Sequence, residues 1–417
     1  KRHIALDIFD KIDRSMGELG KYASQGHGYF TFPKLEGEIS PRMTFRGKEV
    51  LCWSLNNYLG LANHPEVRQV DAEAAKEWGL GYPMGSRMLT GNSNLHEKFE
   101  DEASAFMGKE DTYLLNFGYQ GMLSIIQSIT DRRDVIVYDQ LAHACIIDGM
   151  MLSLSKRFVY AHNDMNQLED RLQKAMKITE KTGGGILVIT EGVFGMKGDL
   201  GKLDEIVKLK EKYPFRLFVD DAHGFGVMGA NGRGTPEHFG VMDQVDIVFN
   251  TFAKSMALIG AFVSGDEKVI KFLRYNMRSQ IYAKSMPMPL VVGALKRLQL
   301  LREQPQLREN LWNIVNTLQH GLRSRGFDIG ITQSPVTPVY LKGGTEEAAK
   351  LIIDLRENHR IFVSVVTYPV VERGELMLRI IPTAVHSPED VEITLNAFEA
   401  IRDNMNKGVY SGKIISQ

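Results

Sequence analysis

Lys254 has the surroundings that most favour covalent chemistry. It follows the apolar run 245–250 and precedes SMALIGAFVSG (255–265), which is apolar and contains glycine. Most lysines end as solvated charges, but one set between two such segments is more readily buried. Desolvation disfavours the ammonium form and yields an amine that attacks carbonyls to give a Schiff base. A second group of chemically capable residues sits one strand earlier, where Asp220, Asp221, Ala222 and His223 close the run 216–219. Carboxylates and an imidazole therefore emerge at the carboxyl end of a strand, the edge at which α/β sheets place ligands.

These groups need a scaffold. Between residues 110 and 265, apolar runs at 112–116, 135–138, 156–160, 185–190, 216–219, 245–250 and 261–264 alternate with helical or loop segments. Several are continuous (ILVI, LFV, DIVF), as expected of strands covered on both faces. Asp164 is placed to cap a helix carrying Leu168, Leu172 and Met176. The alternation predicts an α/β fold with a large, mostly parallel sheet. After residue 286 the texture changes. Leu307, Leu311, Ile314, Leu318 and Leu322 share one face of a long helix, and a strand-like SPVTPVYL comes after it at 334–341. A helix over 346–358, strands near 361–367 and 376–381, and a helix from Pro388 complete a smaller α+β unit. The predicted layout is an N-terminal arm (1–58), a large α/β domain (59–290) and a C-terminal α+β domain (291–417).

Composition removes several classes of function. Fifty Lys+Arg against 51 Asp+Glu, a net charge of −1, disfavours a broadly nucleic-acid-binding surface. Cys52 and Cys145 allow at most one disulfide and lack metal-ligand spacing, so a reducing compartment and no metal are expected. Apolar runs such as 256–263 fall short of the ~20 residues that span a bilayer. The expected location is cytoplasmic. Peripheral membrane contact stays open, because Ile4, Ile8, Ile12 and Met16 share one face of an N-terminal amphipathic helix. Packing on the body or on a partner subunit is the preferred use of that face. The start at Lys1 rather than Met points to trimming of the amino end.

Gly224–Gly229 spells GxGxxG directly after a strand, a dinucleotide fingerprint when it opens a helix. The next residues, ANGRGTPEHFG, read as a Gly/Pro-rich loop instead, so nicotinamide or flavin binding is not expected.

The pattern D-x-A-H after one strand and T-F-x-K-S after the next resembles the α-oxoamine synthase family of pyridoxal-phosphate enzymes. Further elements match that family in its order along nearly the whole chain: NNYLG (56–60), GSRMLTGNSNLHEKFE (85–100), NFGYQ (116–120), DQLAHA (139–144), EGVFGMKGD (191–199) and LRIIPTAVHSPED (378–390). The resemblance implies the fold-type I, aspartate aminotransferase-like architecture of PLP-dependent transferases, with pyridoxal 5'-phosphate as cofactor.

It also implies roles. Lys254 would hold the cofactor as a Schiff base and then act as the base at the substrate's Cα, beside which amine exchange releases it. Asp220 would keep the pyridine nitrogen protonated, His223 would hydrogen-bond the 3-oxygen, and His143 would stack on the ring and meet the substrate. Gly118 and Tyr119 would form the phosphate turn with the Thr251 hydroxyl, since phosphate needs donors at a turn or helix start. The neighbouring subunit would complete that site through Ser285 or its neighbour Ala283, which implies a homodimer with the active site at the interface. Arg379, whose planar fork suits a carboxylate, would bind the amino acid, with Asn56 assisting. His96 and His386 read as structural.

The sequence departs from the family pattern in three places. Asp221 stands where Glu is usual, Gly195 where Ser is common, and SMALIGAF follows the lysine where many members have a Gly–Gly pair, so that extra bulk at Leu258 or Ala261 would alter the substrate channel. Members of the family condense an amino acid with an acyl thioester and lose CO2. Lys254–Ser255 and RSQIYAKSMPMP (278–289) are more similar to bacterial serine palmitoyltransferases than to members with Lys-Ala. That likeness predicts L-serine and a long-chain acyl-CoA, palmitoyl-CoA, as substrates and 3-ketodihydrosphingosine as product. Other activities of the family, 2-amino-3-ketobutyrate CoA ligase and 8-amino-7-oxononanoate synthase, are the alternatives. A non-catalytic regulatory subunit is disfavoured by the presence of Lys254, Asp220 and both histidines.

Overall fold

The structure, a computed structural model, describes residues 7, 9, 10, 12, 20, 26–368 and 370–411. The seven apolar runs form strands β1 (Asp111–Leu115), β2 (Val135–Asp139), β3 (Lys156–Tyr160), β4 (Ile186–Glu191), β5 (Arg216–Asp220), β6 (Ile247–Thr251) and β7 (Ala261–Gly265). They form one sheet in the order β1-β7-β6-β5-β4-β2-β3. β7 runs antiparallel to both neighbours and the remaining pairs are parallel.

The continuous apolar runs have the expected cause. Along β4, Ile186 and Val188 enter one buried cluster, while Leu187 and Ile189 enter another on the opposite face. The strands extend past those runs in a way that serves the site. Asp139, Glu191, Asp220 and Thr251 are the last residues of β2, β4, β5 and β6, all buried. Their polar side chains are therefore fixed to the carboxyl edge of the sheet by backbone pairing.

On one face, Phe99, Phe225, Phe252 and Phe262 pack with ring centroids 5.2–5.9 Å apart. Phe252, fully buried, anchors the segment that carries Lys254. A helix that sequence periodicity did not foresee, Met288–Glu303, packs on the helix Pro65–Trp78. It is apolar on most sides and so lacks a clean stripe. Arg297 within it donates to both carboxylate oxygens of Asp71 at 2.8 Å and to the Met256 carbonyl at 2.7 Å. The boundary expected after residue 290 falls inside this helix.

In the C-terminal unit, strand Glu375–Ile380 lies antiparallel between Thr337–Lys342 and Ser364–Val366. Helices Gln306–Ser324, Thr345–Glu357 and Pro388–Asn406 contribute to the cluster against which this sheet packs. Part of the expected arm joins this unit, because Ile361–Phe362 pairs in parallel with Lys48–Cys52. Of the expected N-terminal helix face, Ile4, Ile8 and Met16 lie outside the described residues. Among the described residues no helix is long and apolar enough to cross a membrane, and no group of His, Cys, Asp or Glu is arranged to hold a metal ion.

Candidate active site

β5 delivers Asp220 to the sheet edge, where its carboxylate accepts from the Ala222 N–H at 3.1 Å and lies 3.9 Å from the Cys145 thiol. Burial raises its pKa, and the nearby Lys254 charge counters part of that rise. Lys254 follows β6 in a tight turn. The Leu258 N–H returns to the Phe252 carbonyl at 3.0 Å, and Ala257 is held at a φ of 47°. Burial lowers the pKa of Lys254, with Asp220 and Glu191 opposing. Among the described residues the amine makes no hydrogen bond or close ion pair, so a half-buried amine with a lowered pKa stands near a buried acid.

His143 caps the helix Ala144–Leu152, its Nδ1 accepting from the Cys145 N–H at 3.2 Å. That bond places the neutral ring's proton on Nε2. Its backbone N–H donates to Glu191 at 2.7 Å, and its exposed ring meets Tyr119 edge-on at 6.3 Å. His223, by contrast, is strongly desolvated, which drives its pKa well below the usual imidazole range. Its Nδ1 is 2.8 Å from the Tyr58 hydroxyl. Arg379, on the small-unit strand Glu375–Ile380, donates through Nε to the Gly195 carbonyl at 2.7 Å. Its charge is felt by both Lys254 and His223, which places it at the same edge.

The phosphate features also converge. Gly118 opens the helix Gly118–Ile129, and a Cβ there would sit 3.0 Å from Thr251 Oγ1. A helix amino end, a residue without a side chain and a hydroxyl thus share one small space, which suits a phosphate. Tyr119 points its hydroxyl to Asp148. Asn56 leaves a buried Oδ1 without a partner among the described residues, as does Ser285 with its Oγ. Ser285 is itself buried against the 85–91 segment, with its N–H bonded to the Gly85 carbonyl at 2.8 Å. Amine, acid, phosphate cradle and unsatisfied amide fit pyridoxal phosphate. Lys254 would hold it covalently, Asp220 would face its ring nitrogen, and Gly118 with Thr251 would take its phosphate.

Several residues escaped sequence reasoning. Glu191 ends β4 as Asp220 ends β5, and the shared pattern of an apolar run closed by an acid was its signal. Asp221 proves structural. It accepts from the Thr235 N–H at 2.7 Å and Thr235 Oγ1 at 2.6 Å, and burial pushes its pKa up to about 7. Side chains on Gly192, Gly224 or Gly234 would reach within 1.8–2.1 Å of its carboxylate. Gly224 of the GxGxxG run therefore makes room for Asp221, and the next helix is only Thr235–His238. Ala261 is fully buried within β7, so it packs in the sheet rather than lining a channel. His96 bonds Ser93 and the Met286 carbonyl, and His386 stacks on Trp53 at 3.8 Å, both as structural residues.

The profile of the family described as aminotransferase class I and II matches residues 48–398. The cysteate-C-fatty acyltransferase of Capnocytophaga ochracea is 58% identical over 404 residues, covering 97% of this chain and 96% of the relative. The solved serine palmitoyltransferase of Sphingomonas wittichii superposes with a TM-score of 0.89 at 30% identity, covering 97% of this chain and 100% of the other. A further serine palmitoyltransferase structure, holding PLP as an internal aldimine, superposes with a TM-score of 0.88 at 29% identity over 96% and 100%. The chain thus belongs to the class I and II aminotransferase family of pyridoxal-phosphate proteins, in its α-oxoamine synthase branch.

Proposed function

We propose that this protein catalyses the decarboxylative C-acylation of cysteate by a long-chain acyl-CoA. The observation that carries cysteate is the likeness to the Capnocytophaga acyltransferase, which runs end to end and far exceeds that to the solved serine palmitoyltransferases. The latter support a second reading in which the amino acid is L-serine, as the Lys254–Ser255 pair suggests.

Bound pyridoxal phosphate supplies an electron sink for a carbanion at the substrate's Cα. Lys254, desolvated and released by exchange with the substrate amine, takes the Cα proton. Asp220 would hold a proton on the cofactor's ring nitrogen, which makes the sink effective. Arg379 and Asn56 would bind the α-carboxylate, and His143 would stack on the ring and meet the substrate. Orientation decides which Cα bond breaks, so carboxylate anchoring guards against the wrong cleavage. Cα bonds to the acyl carbonyl carbon, the C–S bond breaks, and CoA leaves as thiolate that takes its proton from solvent. The carboxylate departs as CO2, and Lys254 returns a proton to Cα.

A homodimer belongs to the same reading. Met84, Leu89, Phe117 and Tyr282 stand exposed. Hydrogen bonds from Ser285 to Gly85 and from Asn116 to Lys284 tie their segments into one face.

Thiol release should be measured with cysteate, serine, glycine and alanine crossed against palmitoyl-, succinyl-, acetyl- and pimeloyl-CoA. Cysteate with palmitoyl-CoA is the expected best pair. Preference for serine would select the second reading, and glycine or alanine with a short or dicarboxylic acyl group would overturn both.

A further inference from the structure

Tyr58 and Gly195 have no part in the chemistry above, yet both press on His223. Tyr58 is buried, and among the described residues its hydroxyl meets no side chain or backbone group but His223 Nδ1, at 2.8 Å. A buried phenol proton without an acceptor is costly, so the phenol donates and Nδ1 accepts. The imidazole proton then sits on Nε2. Burial keeps the phenol protonated and His223 neutral, consistent with one proton shared along this line.

At the far side of the ring, a Cβ on Gly195 would lie 2.3 Å from Nε2 and 2.6 Å from Cδ2. His223 has its orientation because residue 195 has no side chain. Both supports are themselves held. The Tyr58 carbonyl accepts from the Ala384 N–H at 2.7 Å, and the Gly195 carbonyl accepts from Arg379 Nε at 2.7 Å.

We infer that Tyr58 and Gly195 are positioning residues that hold His223 as a single tautomer in a single orientation, presenting Nε2–H as a fixed hydrogen-bond donor to bound pyridoxal phosphate. The inference rests on the cofactor site assigned above. A fixed donor to the cofactor's anionic oxygen favours the deprotonated form of its lysine linkage. Removing the lock therefore raises the pH at which that linkage titrates.

The holoenzyme is tested by pH titration of its visible absorption, with cofactor content and melting temperature measured alongside. Tyr58→Phe should move the midpoint upward by about half a pH unit or more, with cofactor content retained. Gly195→Ala, which displaces the ring from the other side, should shift it in the same direction. Unmoved midpoints in both variants at full cofactor content would overturn the inference. Should either variant fail to fold, nitrogen NMR of labelled histidine in the unaltered holoenzyme decides: an unprotonated Nδ1 at His223 supports the lock and a protonated one overturns it. Absence of any visible band in the unaltered protein would instead sink the cofactor reading, so the two failures are distinguishable.

Discussion

Glu191 and Asp220 stand directly opposite one another on the parallel strands β4 and β5, and both carboxyls are buried. Burial raises both pKa values, and the Asp220 charge raises Glu191 further. Lys254 lies close enough to oppose both shifts. One cation faces two desolvated acids, and the Asp220 charge adds to the rise at Glu191, which makes Glu191 the weaker acid of the pair. Its remaining task is to accept from the His143 N–H at 2.7 Å.

Glu191→Gln should be nearly silent, because the amide oxygen keeps that bond. Glu191→Ala leaves the partly buried His143 N–H without this acceptor, at a cost of up to about 1 kcal/mol, and loosens His143. The check is kcat for both variants at neutral pH. Equal damage from Gln and Ala would mean that the charged carboxylate is required.

Among the described residues Arg379 is held by one bond to the Gly195 carbonyl, and its remaining guanidinium donors have no partner there, which leaves them to meet a carboxylate. Arg379→Lys keeps the charge but loses both the planar fork and the anchored Nε. KM for the amino acid should rise by about tenfold to a hundredfold, the size of a lost charged hydrogen bond. KM for the acyl-CoA should stay unchanged. A parallel rise in both constants would contradict a carboxylate-specific role.

His162 bridges two buried aspartates, with Nδ1 2.9 Å from Asp139 and Nε2 2.6 Å from Asp199. Burial alone would lower its pKa, but the two carboxylates outweigh burial and hold it up at about 9. A raised folded-state pKa stabilises fully below the unfolded value of about 6.5 and loses that contribution as pH climbs through 9. The clamp should contribute on the order of 2 kcal/mol at neutral pH. Urea unfolding of the unaltered protein and of His162→Gln should differ by that amount at pH 6 and converge by pH 10. A gap independent of pH would show that the imidazolium charge is not what stabilises.

The seven strands were legible because continuous apolar runs of this length have few uses other than a doubly covered sheet. Lys254, Asp220 and His223 were legible because each closes or follows such a run. Less was visible where the signal is spatial. Tyr58 and His223 lie far apart in sequence and meet only through the fold, and the same holds for Arg379 and Gly195. The pairing of Glu191 with Asp220 depends on strand register, which no run of residues displays. Helix Met288–Glu303 was hidden because burial on most sides erases the stripe that marks a surface helix. The choice between a hydroxyl and a sulfonate on the amino acid likewise has no local pattern, and Ser255 with the 278–289 segment points to serine.

Gly118 separates cofactor binding from stability in one substitution. It occupies the first turn of a helix at a φ accessible to any residue, so alanine there removes a backbone entropy cost of up to about 1 kcal/mol, set against a contact with the buried Thr251 tight enough that its side chain must give. The added methyl, however, would stand 3.0 Å from Thr251 Oγ1, inside the space assigned to the phosphate. Gly118→Ala should therefore melt without cofactor close to the unaltered protein, the two effects opposing, yet bind pyridoxal phosphate about tenfold or more weakly. Thr251→Val, which keeps shape but deletes the hydroxyl, should weaken binding through one lost hydrogen bond to a charged group, about 1.5–3 kcal/mol. Equilibrium titration of the apoprotein with pyridoxal phosphate measures both. Unchanged affinity in Gly118→Ala would place the phosphate elsewhere, because no ligand oxygen can share that volume with a methyl group.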